Sequence, residues 1–334
     1  MKNKLLSLLT VGILSLSTQQ VFAEYCEVIN SSASLEPISS LNVASLGETM
    51  VTGGLKCSGF NLISLGSYAM IRYVAENIPI NLTHENGKNI ARISIKDKDR
   101  GTISTGTDIR KDFLDFSFIT GSAEEPVPFY VQVNETTNLK PGVYKASIRL
   151  RWYYAIPRLF GLGHHKSPGL NVGFTWPFTE LNISKWGSGA PSTINIILTV
   201  TEDCNINAQN INFGKAPLVS KFNPVTGTVQ ITCSAETPYS VGLSDGQNFD
   251  QTRRMLNTTG SGYLPYEIYK HTTTNRWGHL GTERWVSADA TFNPGIYDGS
   301  AAQGYAYTAK IIDDASNPSV VGTYKDTLTI EVAF

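Results

Sequence analysis

Five histidines, His84, His164, His165, His271 and His279, are the side chains here most suited to moving protons or holding a metal near neutral pH. Their spacing supports neither role. No His-Glu-x-x-His pair places two imidazoles on one helix face, and no Gly-x-Ser-x-Gly elbow exposes a nucleophile. His164-His165 offers two nitrogens without a third ligand, so the pair is expected as solvated loop surface. Gly187-Ser-Gly189 and Gly260-Ser-Gly262 lack a phosphate-loop pattern and are expected as turns. Asp313-Asp314 and Glu124-Glu125 are expected as solvated loop charges. Triads are spatial rather than sequential, but an enzyme has no residue speaking for it, and no cofactor or metal is expected.

The four cysteines fall as Cys26 with Cys57 and Cys204 with Cys233, 31 and 29 positions apart. Zinc is disfavoured because no Cys-x-x-Cys occurs. Disulfides suit an exported chain. Sequence allows three pairings, and the matched spacing favours one local bridge in each half. A loop near thirty residues is worth roughly 3–4 kcal/mol when its geometry is unstrained.

Export is read from Met1 to Ala23. Lys2 and Lys4 precede an apolar run from Leu5 to Leu16, and Val21-Phe22-Ala23 offers a small-residue cleavage site. The run is too short to span a bilayer, and no later stretch qualifies. Cleavage removes Lys2 and Lys4, leaving 25 of the 27 basic residues against 28 acidic ones, a net charge of −3. That balance gives no electrostatic footprint for nucleic acid.

The elements that must position any site are strands. Ala91 to Ile95 and Phe129 to Val133 alternate cleanly, Asn86-Gly87 and Asp245-Gly246 mark turns, and no long stretch keeps a helical period. This composition predicts all-β sandwiches. At the C-terminus Leu328, Ile330, Val332 and Phe334 alternate with Thr329, Glu331 and Ala333, a half-buried strand with no closing strand after it.

A repeat relates the two halves. Cys26 stands 118 positions before Tyr144 in Gly142-Val-Tyr-Lys145, and Cys204 stands 120 before Tyr324 in Gly322-Thr-Tyr-Lys325. After its Gly-x-Tyr-Lys the first copy continues to Ser192 to Thr201, where Ile194, Ile196, Leu198 and Val200 alternate. The second copy has no such strand, so the first can close its own sheet and the second cannot.

Between these strands the first copy carries an apolar insertion from Ala155 to Phe178, broken by Gly and Pro and so poorly suited to continuing a ladder. Its residues Ile156, Leu159, Phe160, Leu162, Leu170, Val172, Phe174, Trp176 and Phe178 are the candidate surface-binding set, although each could fill the core instead. The set is more apolar than connecting loops should be. A few half-covered rings would give a few kcal/mol per molecule.

The second copy resembles the spore coat protein U, or secreted pilin, family. The resemblance is carried by Cys204-Asn-Ile-Asn207, Asn212-Phe-Gly214, Gly227-Thr-Val-Gln-Ile-Thr-Cys233, Pro238-Tyr-Ser-Val-Gly-Leu-Ser244, Arg253-Arg-Met255, Leu264-Pro-Tyr-Glu-Ile-Tyr269, Trp277-Gly278 and Gly322-Thr-Tyr-Lys-Asp326, in order over about 130 residues. The first copy matches loosely, at its cysteines and Gly-x-Tyr-Lys. A weak copy before a good one resembles the two-domain tip adhesins of Csu-type archaic chaperone–usher pili. That resemblance implies two immunoglobulin-like β-sandwich domains, residues 24–201 and 202–334, the second lacking its closing strand. It also implies three partners: a periplasmic chaperone that lends a strand, an outer-membrane usher, and an adjacent pilin whose N-terminal strand replaces the chaperone's.

Leu328, Ile330, Val332 and Phe334 are then expected to line the accepting groove. Only Glu24 and Tyr25 precede Cys26 after cleavage, so the subunit is expected to accept a strand and give none, which suits a pilus tip. The expected function is attachment of cells to abiotic or host surfaces, with biofilm formation, after export through the periplasm. The alternatives are a shaft pilin, a carbohydrate-processing or carbohydrate-binding protein using Trp152, Trp176 and Trp186, and a coat structural protein.

Overall fold

The computed structural model describes residues 25–63, 67–115, 118–135, 138–157, 163–174, 181–313 and 320–334. Regular structure there is strand, apart from short 3-10 turns. The N-terminal half contributes β1 (Tyr25–Val28), β2 (Ser31–Ser34), β3 (Ile38–Ser39), β4 (Thr49–Ile63), β5 (Ser67–Asn77), β6 (Asn81–His84), β7 (Ile90–Lys96), β8 (Asp108–Asp115), β9 (Phe118–Val133), β10 (Gly142–Pro157), β11 (His164–Lys166), β12 (Asn171–Phe174), β13 (Leu181–Lys185) and β14 (Ala190–Thr201). The C-terminal half contributes β15 (Cys204–Asn207), β16 (Val225–Cys233), β17 (Ser240–Leu243), β18 (Arg253–Asn257), β19 (Tyr263–Lys270), β20 (Trp285–Val286), β21 (Gln303–Ile311), β22 (Tyr324–Lys325) and β23 (Ile330–Ala333).

In the N-terminal half one run of strands is β1-β4-β9-β7, and the other is β8-β5-β10-β14-β2, with β6 joining β7 to β10. Period-two alternation does the sorting. Along β14, Ser192, Ile194, Ile196, Leu198 and Val200 are buried while their neighbours are not. These side chains meet Leu55, Leu82, Ile93, Phe129, Tyr144, Ile148 and Trp152 in one core, and each fully buried aliphatic or aromatic residue contributes ~1.5–3 kcal/mol. Among the described residues β8 pairs with β5 alone, and its exposed Arg110, Lys111 and Asp112 oppose edge-to-edge pairing.

The C-terminal half holds a six-stranded sheet, β15-β16-β21-β19-β18-β22, and a three-stranded one, β20-β17-β23. Its core, with Val229, Ile231, Val241, Trp277, Trp285 and Tyr305, shares no residue with the first.

The two halves repeat one another in detail. Disulfides Cys26–Cys57 and Cys204–Cys233 each join the first strand of a half to its neighbour at directly opposed positions. Tyr144 Oη donates to the Lys140 carbonyl at 2.8 Å, and Tyr324 Oη to the Val320 carbonyl at 2.6 Å, four residues upstream in both cases. This is the hydrogen bond of a tyrosine corner. Burial, with Glu236 and Glu135 adding to it, pushes the Tyr144 phenol up to about 12, so the donor keeps its proton. The glycine two residues before each tyrosine is needed for close approach. A Cβ at Gly142 would overlap the His84 ring, and one at Gly322 would overlap the Asn257 amide. His84 and Asn257 occupy the same place, each paired with the tyrosine of its half.

A polar clasp joins the halves. Asn138 Nδ2 donates to the carbonyls of Cys233 at 3.2 Å and Gly299 at 2.8 Å, and its Oδ1 accepts from Ser40. Glu236 accepts from Asn89 Nδ2 at 2.7 Å and from Lys140 Nζ at 3.2 Å. These hydrogen bonds hold the Glu236 carboxyl below its ordinary value. Its φ of 54° lies in the left-handed region, a cost that an ordered neighbourhood must offset.

Three sequence expectations fail. His164 and His165 are not solvated loop; they are buried in β11, which lies antiparallel on the end of β10. Glu124 and Glu125 lie in β9 opposite Lys56 and Leu55, so they belong to a ladder. The insertion, expected to avoid ladders, ends β10 with Ala155–Pro157 and forms β11 and β12 where it is described, and Gly173 is itself paired inside β12, opposite Asn182 of β13. Asp314 lies outside the described residues. Gly187, Gly189, Gly260 and Gly262 do sit in left-handed turns.

Candidate functional site

The C-terminal half has an open cleft of about 600 Å³ between residues 208–213, which follow β15, and residues 324–330. Its apolar lining includes Ile211, Phe213, Met255, Ile268, Leu328 and Ile330. Strand β23 pairs with β17 along one edge, from Ser240↔Ala333 to Leu243↔Ile330. Among the described residues no strand pairs with its other edge, and none pairs with 208–213 beyond β15. Two backbone edges therefore face each other across an apolar trough.

The four residues expected there divide. Leu328 and Ile330 line the cleft, and Val332 packs on the core beside them. Phe334 lies farther along, 49% exposed, with its ring 6.4 Å from that of Tyr239. From Tyr324 to Val332 every second residue is half-buried and those between are exposed, so Asp326 faces inward with them.

A buried charge network fixes the floor. The Arg253 guanidinium is fully buried, paired with Glu267, and donates to the carbonyls of Ser244, Leu243 and Trp277 at 2.8 Å each. Burial pulls Arg253 down from its ordinary value, and Glu267 opposes that. Arg276 holds the second Glu267 oxygen at 2.9 Å and also pairs with Asp245 and Glu283. Leu243 and Trp277 themselves line the cleft. In the sequence Arg253 is visible only as part of a motif, because no local pattern announces a partner fourteen residues away.

The N-terminal half presents a different surface at its far end. Strand β10 starts at Gly142, opposite Val200 beside the link to the second half, and runs sixteen residues to Pro157, ~50 Å at 3.3 Å per residue. The partners Ile63 and Phe118, Ser67 and Asp115, and Pro157 and His164 all end there. Leu159, Phe160, Leu162, Trp176 and Phe178 lie outside the described residues, and Phe174 ends β12.

The rest of the candidate set is structural. Leu170 is 4% exposed, buried with Met70, Ala155 and Leu181 in a small core under the β12–β13 hairpin. Val172 packs against that core and Ile156 against the main one. Leu170 is therefore not a contact residue: it lands beneath the hairpin because the chain doubles back onto the outer face of β5 and β10. The hairpin base is closed where Ser188 N–H donates to the Pro168 carbonyl at 3.0 Å, with Gly169 and Gly187 in contact. Trp186 lies under the Arg72 guanidinium at 4.0 Å, and Arg72 is held by Asp108. Trp152 is fully buried with its Nε1–H on Ser192 Oγ at 2.7 Å, so it is not available to a sugar.

The described residues are all-β with an open apolar cleft in the C-terminal half, and residues 190–331 match the family model described as Spore Coat Protein U domain. A chain in the crystal structure of the CsuC–CsuE chaperone–tip adhesion subunit pre-assembly complex, from archaic chaperone–usher Csu pili of Acinetobacter baumannii, is 33% identical. The match covers 92% of this chain and 100% of that one, with a TM-score of 0.62. The CupB6 tip adhesin of Pseudomonas aeruginosa matches at 13% identity and a TM-score of 0.33, over 94% and 95% of the two chains. No curated protein matches the chain. The protein belongs to the spore coat protein U/secreted pilin family, among the Csu-type tip adhesins of archaic chaperone–usher pili. Members of this family are pilus subunits, not enzymes.

Proposed function

We propose that the protein caps a chaperone–usher pilus and attaches cells to surfaces through the far end of its N-terminal half. In this reading residues 24–201 and 202–334 are two immunoglobulin-like domains. The second is completed by a strand from a periplasmic chaperone, then from the neighbouring pilin after passage through an outer-membrane usher. The observation that carries the reading is the cleft itself: two backbone edges with no partner strand among the described residues flank apolar floor residues in the C-terminal half, while the same place in the N-terminal half is filled by β14. The relative's description as a chaperone–tip adhesion subunit complex supports the same partners.

The adhesive end is proposed to comprise Leu159, Phe160, Leu162, Trp176 and Phe178, with Phe174 at the end of β12. Ile156, Leu170 and Val172 serve as its support. Phe60, Leu62 and Ile63 of β4, Leu114 of β8 and Phe118 of β9, which the sequence alone does not single out, lie on strand ends at the same extremity; they join the proposal. Attachment that is hydrophobic tolerates salt and many surface chemistries.

The test replaces Phe160, Trp176 and Phe178 together by Ser, and Phe60 and Phe118 together in a second variant. Attachment to apolar plastic should fall about tenfold or more in each, with normal piliation. Loss of pili would make these residues core, and undiminished attachment in both variants would move the contact surface elsewhere.

A further inference from the structure

The repeat allows the cleft to be read position by position, on the reading that it takes a partner's strand. Counting from the first cysteine of each half, Leu35 corresponds to Phe213, both nine residues on. Leu35 N–H donates to the Ile197 carbonyl of β14 at 2.8 Å, so β14 marks the course an incoming strand takes past Phe213. Opposite, β10 meets β14 with Tyr144↔Leu198, Ala146↔Ile196 and Ile148↔Ile194. Aligning Tyr324 with Tyr144 puts Asp326 at Ala146's place and Leu328 at Ile148's. Where the complete sheet has alanine under an isoleucine, the cleft has a carboxylate.

Asp326 is the one carboxylate among the described residues lining the cleft. It accepts from Tyr266 Oη at 2.7 Å, from Gln247 N–H at 2.9 Å and from its neighbour Thr327 N–H at 2.9 Å. A carboxylate has about four acceptor sites, so among the described residues one is left for whatever arrives. Directly opposed side chains on an antiparallel pair come within ~4.5–5.5 Å at Cβ. A large aliphatic residue there would strip water from the free acceptor site and return no hydrogen bond.

We propose that Asp326 sets the register of the incoming strand: the residue landing opposite it is serine or threonine, flanked at two positions on either side by large aliphatic residues. Uniform apolar alternation distinguishes a one-residue slip, which turns every side chain to the other face, but not a two-residue slip. A single polar station in the trough removes that degeneracy, because a slip by two moves an aliphatic chain onto the carboxylate and the hydroxyl into the apolar floor.

The test uses the full mature chain with a strand fused after Phe334 through a flexible linker. The strand copies residues 190–201, carrying either isoleucine or threonine at the place of Ile196. A third version keeps that isoleucine and moves the threonine to the place of Leu198. In the wild-type background the threonine strand should raise the thermal midpoint above the isoleucine strand by ~4 °C, and the displaced threonine should fall below both. In D326A the first two should change order, a coupling that a double-mutant cycle isolates from the cost of the substitution itself. If D326A does not fold, the wild-type comparison decides alone. No stabilisation by any fused strand would overturn the strand-accepting reading and the inference with it. Stabilisation by all strands with isoleucine equal to or above threonine would overturn the inference only.

Discussion

Arg253 and Glu267 form an ion pair taken wholly out of water. The attraction inside such a pair offsets much of its desolvation cost, so replacing both partners is often tolerated while removing one is not. Here the arginine also caps three carbonyls that fix the cleft floor. R253A should therefore destabilise the C-terminal half by about 3–5 kcal/mol, read by urea unfolding of the chain with its cleft filled by a fused strand; a loss under about 1 kcal/mol, the size of one ordinary hydrogen bond, would mean the carbonyls find other donors. Little of this is legible in sequence. The apolar positions Leu328, Ile330 and Val332 declare themselves by alternation, but a buried charge looks like a surface charge until its partners are known. Asp326 has the same disguise: it reads as the last residue of a motif and lies in the apolar trough.

At the scale of elements, clean alternation predicts strands well. β7, β14 and β23 follow their sequence patterns, because one face of each meets a core and the other does not. The insertion departs from its expected form. Its Gly and Pro residues argue against pairing, yet it forms strands of three and four residues, with Gly173 paired inside the second; its histidines are buried where β11 pairs with the end of β10, and Leu170 by folding back over β5 and β10. That fold-back has a weak point. Gly187 has φ 73°, and a Cβ on it would overlap the backbone of Pro168 and Gly169 across the closed hairpin base. G187A should therefore open the base and shift the β12–β13 hairpin, changing Trp186 fluorescence and lowering attachment while leaving piliation intact. An unchanged Trp186 signal would show the base to be adaptable.

On the scale of the whole molecule, the Asn138 and Glu236 contacts set how the two halves face each other. The Glu236 carboxyl is lowered by hydrogen bonds from Asn89 and then Lys140, so its contribution is fully present above the ordinary carboxylate value of 4.5 and is lost as pH falls through the lowered one. Acidification below that range should loosen the pair of halves, and N138A should do so at neutral pH. Small-angle scattering and protease cutting near residues 201–203 would register both, and a protein equally compact in all three conditions would remove the clasp from the account. Neither residue can be paired from sequence, since 95 positions separate Asn138 from Cys233 and 147 separate Glu236 from Asn89. The second disulfide has its own consequence at this scale. A pull on the distal end travels down β14 to Thr201 and reaches Cys204 three residues later. From there the Cys204–Cys233 bond passes the tension directly to β16, a nine-residue strand laced to β21, and the four-residue β15 is spared. If the protein caps a pilus as proposed, a tip anchored this way would meet shear with a covalent bond and the longer ladder, and its short first strand would be relieved of load.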